Sequence, residues 1–182
     1  MLAAAQNRTK EAISPEQMQE LVAELAKRFD YVLIDCPAGI EIGFRNAIAP
    51  AKEAIIVTTP EMSAVRDADR VVGLLEAENL QSIRLIVNRL RPDMIQLNQM
   101  IGVEDILDLL VVPLLGIVPD DQRIVISTNR GEPVVLDENT NIPAIAFNNI
   151  ARRLEGQDIP FLDLMAAHDN LLTRLRRRLF GN

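Results

Sequence analysis

The most constraining feature of this 182-residue sequence is the stretch from Tyr31 to Glu41, which reads Y-V-L-I-D-C-P-A-G-I-E. Four apolar residues end in one carboxylate, Asp35, and a turn containing Pro and Gly follows at once. A short aliphatic run closed by turn-forming residues predicts a strand over 31–35 that is buried on both faces. Asp35 would then lie at the carboxyl end of a parallel strand, where ligands bind in open α/β sheets. A carboxylate there can hold Mg²⁺ through water beside a nucleotide's phosphates, although an Asp can also simply start a turn.

Further segments with the same character predict buried strands at 53–58, 83–88 and 114–118. Between and around these strands, apolar residues recur at helical spacing and predict helices. One helix starts at Ser14, and the others lie at 43–50, 63–78, 103–110, 121–129 and 143–154. Strands that alternate with helices predict an α/β fold, a three-layer sandwich with a mostly parallel sheet. Residues 134–136 are expected to form a short edge strand.

The first and last of these helices carry local signals. Ser14 is a predicted N-cap, with Pro15 at the first helical position and Gln17 as the capping-box partner. The predicted core faces of the two helices are Leu21, Val22, Leu25 and Ala26 in the first and Ala146, Phe147, Ile150 and Leu154 in the last.

The helix at 63–78, for which Ser63 is a possible cap, has an inner face and a charged outer face. Val65, Ala68, Val72 and Leu75 share the apolar side, while the outer side carries Arg66, Asp67, Asp69 and Arg70. From the sequence alone, the simplest interpretation of this charged face is a solvated surface.

Composition narrows the function classes. The net charge is −7, and a mostly acidic chain argues against general nucleic-acid binding. The single cysteine excludes an internal disulfide and a C-x-x-C site. The sequence contains no apolar run of 18 residues, so no membrane-spanning helix is predicted. The apolar stretch of the first five residues is too short for a signal-peptide core. Aromatic residues make up 3% of the chain, so the core is expected to be aliphatic.

The last residues, 170–182, predict an amphipathic helix with a basic polar face. The leucines at 171, 172, 175 and 179 fall on one side, Phe180 lies at its edge, and Arg174, Arg177 and Arg178 lie opposite. Such a helix can lie in an anionic membrane interface, with its leucines in the acyl boundary. A terminal helix that packs on its own domain is the alternative. Because so short a helix is marginal in water, we expect it to fold on binding and to act best as a pair on a dimer.

Several strings together resemble the deviant Walker ATPases of the ParA/MinD family, and within that family the septum-site-determining group. They are D-C-P-A-G-I-E from Asp35, T-P-E-M-S-A-V-R-D-A-D-R from Thr59, V-N-R from Val87, G-I-V-P-D-D-Q from Gly116, N-R-G-E-P-V from Asn129 and L-R-R-R-L-F-G from Leu175. The resemblance runs from about Leu2 to the last residue. It implies that 1–155 form the C-terminal two-thirds of an ATPase domain with a partial P-loop NTPase (Rossmann-like) fold, that 156–169 form a linker and that 170–182 form the membrane-targeting helix.

The resemblance also implies a mechanism. ATP and Mg²⁺ would join two subunits into a homodimer that binds the membrane through paired tails, recruits the division inhibitor MinC and is released when MinE stimulates hydrolysis. Asp35 would serve Mg²⁺ and the surroundings of the attacking water. Asn88 and the loop of Pro119, Asp120 and Asp121 would hold the base, and Arg89 would also belong to the nucleotide site. The partners would dock on the helix carrying Arg66, Asp67, Asp69 and Arg70. The membrane residues would be Leu171, Leu172, Leu175, Arg176, Leu179 and Phe180. The implied location is the cytoplasm and the cytoplasmic face of the inner membrane, or the plastid equivalent.

One departure from the family pattern limits these expectations. No G-x-x-x-x-G-K-[ST] phosphate loop occurs in the 182 residues, so the sequence looks as if it begins partway through the family's domain. Because that loop supplies most of the charge stabilisation in phosphoryl transfer, these residues alone are predicted not to hydrolyse ATP. Two alternatives stay open: a non-catalytic membrane-binding fragment, and a ParA-type DNA-segregation ATPase whose arginine-rich tail contacts DNA.

Overall fold

The computed structural model describes residues 13–36, 39–136 and 141–164. The chain divides into two compact units, one formed by 1–54 with 73–82 and the other by 55–72 with 83–182. No helix within the described ranges is long and apolar enough to cross a membrane.

The first unit contains helix α1, Pro15–Ala26, and helix α2, Ile42–Ile48. The predicted capping box is confirmed, because the Ser14 hydroxyl accepts the backbone N–H of Gln17 and the Gln17 side chain accepts that of Ser14. The two helices are in contact, and the Gln19 side-chain amide donates to the carbonyl of Ala49 over 3.1 Å. The predicted core face of α1 is wrong, since α1 has no buried residue and Leu21 is 37% exposed.

The strand predicted at 31–35 is also wrong. Residues 31–36 have no regular secondary structure, and Leu33 is 84% exposed. A strand needs a neighbour for its backbone N–H and C=O groups, and a strand buried on both faces needs a covering layer on each side. Within the described ranges, the sheet consists of three other strands, so this apolar segment has no strand beside it.

The sheet contains β1, Glu53–Thr58, β2, Ser82–Leu90, and β3, Leu114–Pro119, in the spatial order β1-β2-β3. Strands β2 and β3 run parallel, and Leu85 is paired with Leu114. The α/β fold with a parallel sheet is therefore confirmed. The expected edge strand at 134–136 is wrong: Val134–Leu136 is a 3₁₀ helix, closed locally by a 2.9 Å hydrogen bond from the N–H of Leu136 to the carbonyl of Pro133.

The remaining helices are α3, Met62–Ala77; α4, Pro92–Gln96; α5, Val103–Leu110; α6, Gln122–Arg130; and α7, Ile142–Leu154. The inner face predicted for α3 is confirmed, because all four of its apolar residues are buried. Ser63 does not cap α3 but lies in its first turn, since the helix begins at Met62. Helix α4 was not predicted.

Helix α7 packs on β3 and forms the core beside the carboxyl end of the sheet. Ile150 is buried with Leu115 and Val118 of β3. The approach is close at Gly116, where a Cβ atom would lie only 2.2 Å from Cγ1 of Ile150. The predicted inward position of Phe147 is wrong, because its side chain is 37% exposed and only part of it is covered by the fold. This packing fixes the strand ends that form the candidate site.

Candidate functional site

A bulge ends strand β2. Val87 pairs with Ile117 and Leu90 pairs with Pro119, so two residues of β2, Asn88 and Arg89, oppose one residue of β3. Arg89 has a φ of +59°, a left-handed conformation that non-glycine residues seldom adopt. The side-chain oxygen of Asn88 accepts the backbone N–H of Arg89 over 2.9 Å. Bulges are common beside binding sites because they change the direction of side chains, and this one lies at the carboxyl edge of two parallel strands.

The exits of β2 and β3 are joined at this edge. The N–H of Asp120 donates to the carbonyl of Leu90 over 2.9 Å, and Nε of Arg89 lies 3.6 Å from Oδ1 of Asp120. The next residue, Asp121, is the N-cap of α6 and accepts the backbone N–H of Arg123 over 2.8 Å. The predicted base-binding loop is thus fixed by backbone and capping hydrogen bonds.

A second ion pair lies just beyond β2. Nη2 of Arg91 donates to Oδ2 of Asp93 over 2.7 Å. This hydrogen bond lowers the pKa of the Asp93 carboxyl and raises the pKa of Arg91. Both groups are solvent-accessible, so their charges contribute little to folding stability and mainly shape the local field.

Two open grooves flank this charged edge. The first, which we call the base-side groove, has a volume of about 530 Å³ and is lined by the loop of Pro119, Asp120 and Asp121, by the pair of Arg91 and Asp93, and by the apolar residues Leu90, Val125, Ile142 and Leu164. The second, the methionine groove, measures about 760 Å³ and contains Met62, Met94 and Met100 together with Glu61 and Arg89. Arg91 and Asp120 line both grooves and so form the ridge between them.

The base-side groove combines apolar side chains with the backbone groups of a fixed loop. Apolar side chains can cover the faces of a ring, and the backbone groups of a fixed loop can hydrogen-bond to its edge. Asn88 is not among the residues that line either groove. Because its Oδ1 accepts a backbone N–H, its amide Nδ2 remains as a hydrogen-bond donor.

Asp35 belongs to the first unit and is exposed. Neighbouring Cys36 is exposed, and the pKa of its thiol is raised chiefly by partial desolvation and to a lesser extent by the Asp35 charge. No group of three or more His, Cys, Asp or Glu side chains suited to a metal occurs in the described part of the chain. A single carboxylate fits Mg²⁺, which commonly keeps several waters and binds one or two carboxylates together with substrate phosphates.

Comparison with known proteins decides the family. The ParA family model, described as NUBPL iron-transfer P-loop NTPase, matches residues 10–155. The septum site-determining protein MinD of Synechocystis is 74% identical over 181 residues, which cover all of this chain and 68% of that protein. The chain belongs to the MinD family of septum site-determining proteins.

Solved structures agree with this assignment. MinD in the MinC:MinD complex of Aquifex aeolicus is 45% identical with a TM-score of 0.76, and covers 80% of this chain and 61% of that one. MinD of Pyrococcus horikoshii, complexed with Mg-ADP, is 32% identical with a TM-score of 0.67, and covers 77% of this chain and 56% of that one. This chain therefore spans between about half and two thirds of the length of its MinD relatives.

The predicted partner-binding face is exposed on α3. Arg66, Asp67, Asp69 and Arg70 are all exposed, and Asp67 and Arg70 form an i, i+3 ion pair of 3.5 Å. The predicted membrane residues, Leu171, Leu172, Leu175, Arg176, Leu179 and Phe180, lie outside the described residues.

Sequence reasoning did not find the apolar wall of the base-side groove. Leu90, Ile142 and Leu164 come from three separate segments, and each looks like an ordinary core residue. The sequence gives no signal that brings them together. The Arg91-Pro92-Asp93 string, in contrast, carried a usable signal, since Pro at a first helical position followed by an acid is typical of a helix start.

Proposed function

We propose that this chain acts in the selection of the cell-division site as part of a MinD-type, ATP-dependent switch. The observation that carries the proposal is the 74% identity with Synechocystis MinD, which extends over the whole chain. The geometry supports it, because the residues expected to hold the base lie at the carboxyl edge of β2 and β3, where α/β folds bind ligands.

In this proposal, the base-side groove takes the adenine of ATP. The backbone of the 119–121 loop hydrogen-bonds to the edge of the base. Asn88 does not line the groove, so the base-binding role that the resemblance implies for it requires its side chain to turn towards the base. Asp35 would hold Mg²⁺ through water, as the resemblance implies, and the ion would supply neutralisation of the phosphate charge. Because the 182 residues contain no phosphate-loop motif, they do not turn over ATP by themselves. Robust Mg²⁺-dependent hydrolysis by the purified chain would disprove this part of the proposal.

The proposed partners are MinC, MinE and a second subunit. MinC is named in the solved complex of the Aquifex relative, and the charged face of α3 is the proposed docking surface. Exposed i, i+3 ion pairs contribute little to stability, so this face can be altered without unfolding the chain.

Binding of purified MinC to the chain tests the docking surface. The test variant is D67N/R70Q, and the matched control is E24Q/K27Q, which removes another exposed i, i+3 pair on α1. We expect the parent and the control to bind MinC equally and the test variant to bind more weakly. Equal binding by all three would reject the α3 face, and no binding by the parent would reject this chain as a sufficient MinC partner.

The tail is proposed to bind anionic membrane, which would place the protein in the cytoplasm and peripherally on a membrane. Cosedimentation with vesicles of phosphatidylglycerol and phosphatidylethanolamine, compared with pure phosphatidylcholine, tests this proposal. We expect binding to the anionic vesicles only and its loss in L175E. For a non-catalytic membrane-binding fragment, vesicle binding would instead be insensitive to ATP.

A further inference from the structure

One side chain, Arg153, holds the segment that follows α7. Its Nε donates to the carbonyl of Ile159 over 2.9 Å, its Nη2 to that of Pro160 over 2.8 Å, and its Nη1 to that of Leu115 on β3 over 3.0 Å. Its guanidinium carbon lies 4.2 Å from the centre of the Phe161 ring, within range of a cation–π interaction. We call these four contacts the Arg153 clasp. Only a planar guanidinium has donors that diverge widely enough to reach all three carbonyls.

Partial burial supports a structural role for this group. Burial lowers the pKa of Arg153, as is expected when a guanidinium leaves water. Such a charge is retained where its hydrogen bonds are satisfied by the protein, as three of the five N–H donors are here.

The clasp ends at Phe161, three residues before Leu164. Leu164 is 6% exposed and lines the base-side groove together with Ile142 and Val125. Two residues separate it from Phe161, so a segment held at 159–161 leaves Leu164 little freedom. Arg153 itself does not line the groove.

We propose that Arg153 is a positioning residue for the base-side groove: it holds Leu164 as one wall and thereby sets the affinity of the groove for a nucleobase. This inference rests on the proposed function, in which the groove takes adenine. A base gains affinity when apolar groups cover its faces, and a displaced Leu164 would leave one face in water.

Thiol accessibility tests the geometry without a nucleotide. In a C36S background, L164C carries the reactive group, and its rate with a disulfide reagent measures how often position 164 opens. R153M removes the clasp. The control R152M removes the same charge from the same helix end, where Nε of Arg152 donates to the Gln157 side chain over 2.8 Å.

We expect R153M to speed the reaction about tenfold or more, because even one charged hydrogen bond corresponds to roughly that factor in an opening equilibrium. R152M should leave the rate unchanged, and R153K should fall between them. An unchanged rate when R153M is added would overturn the inference. So would a thiol at position 164 that, with Arg153 intact, already reacts as fast as a cysteine in a short peptide.

ADP binding, followed by NMR titration, tests the consequence for the groove. R153M and L164A should each weaken binding about tenfold, and the double variant should bind no worse than the weaker single variant, since both changes remove the same wall. Additive losses would overturn the positioning role, because two independent structural defects would add. If the parent did not bind ADP, both the proposed base-binding function of the groove and this inference would fail. That result differs from additive losses in the double variant, which would overturn the inference alone.

Discussion

Replacing Gly116 by alanine should destabilise the protein, because helix α7 leaves no room for a methyl group on β3. The new Cβ atom would lie 2.2 Å from Cγ1 and 2.7 Å from Cδ1 of Ile150, and such distances force the helix or the side chain to move. Overpacking of this kind costs about 1–3 kcal/mol. A contact as short as 2.2 Å belongs to the upper part of that range, at about 2–3 kcal/mol. The lower chain entropy of alanine in the unfolded state returns about 0.5–1 kcal/mol, so we expect a net loss of about 1–2.5 kcal/mol.

Changes at Ile150 separate this steric mechanism from other causes. I150A removes Cγ1 and Cδ1 and leaves Cβ at 3.6 Å, an ordinary contact, whereas I150V removes Cδ1 but keeps Cγ1. The single variants should lose about 2–5 kcal/mol for I150A and 0.5–1.5 kcal/mol for I150V. When added to I150A, G116A should therefore lose its steric cost and stabilise the protein by up to about 0.5–1 kcal/mol, whereas it should keep most of its cost when added to I150V.

Urea unfolding followed by far-ultraviolet circular dichroism measures these free energies, since the chain has no tryptophan for fluorescence. The double-variant cycles give the coupling directly. A G116A free energy of unfolding within about 0.5 kcal/mol of the parent would refute the packing argument. So would simple additivity of G116A and I150A.

Three further changes test other parts of the structure. V111G should stabilise the protein by up to about 1 kcal/mol in urea unfolding, because Val111 ends α5 at a φ of +52° and is 83% exposed. The control V111A should give no such gain, since alanine keeps the Cβ atom. R91Q should raise the pKa of Asp93 towards its ordinary value in an NMR titration. Because the pKa of Asp93 is lowered in the folded state, its contribution to stability is present above its ordinary pKa and is lost as the pH falls through the folded-state pKa. An Asp93 pKa that is the same in R91Q and in the parent would contradict the pairing. D35N should lower the pKa of the Cys36 thiol but leave it above its ordinary value, because burial is the larger cause, and alkylation by iodoacetamide at fixed alkaline pH should speed up.

Two features of the fold that depend on residues close together in the sequence were predicted correctly. The capping box at Ser14 and the buried face of α3 depend on residues within the same helix, so spacing alone predicted them. The strand at 31–35 failed for the opposite reason: its apolar pattern specifies a strand only if another strand lies beside it. Residues 134–136 look like a strand by composition, yet the preceding Pro133 accepts a local hydrogen bond and closes a 3₁₀ turn.

The candidate site was predictable where a motif marks it and not where packing makes it. Family resemblance pointed to Arg89 and Asp120, and the structure brings them within 3.6 Å of one another. The bulge that turns Asn88 and Arg89 has no sequence signal, because it depends on the register with β3. Arg153 was not predicted either, since its partners are backbone carbonyls, which no sequence pattern identifies.

The most direct test of the account is an ¹⁵N NMR titration of the purified chain with ADP and, separately, with adenosine. If the base-side groove binds adenine, the amide signals of Asp120, Asp121 and Leu164 should shift with both ligands. Because no phosphate-loop motif is present in these residues, ADP and adenosine should bind with similar affinity. Shifts confined to other parts of the chain, or shifts with ADP but not adenosine, would contradict the assignment of this groove to the base.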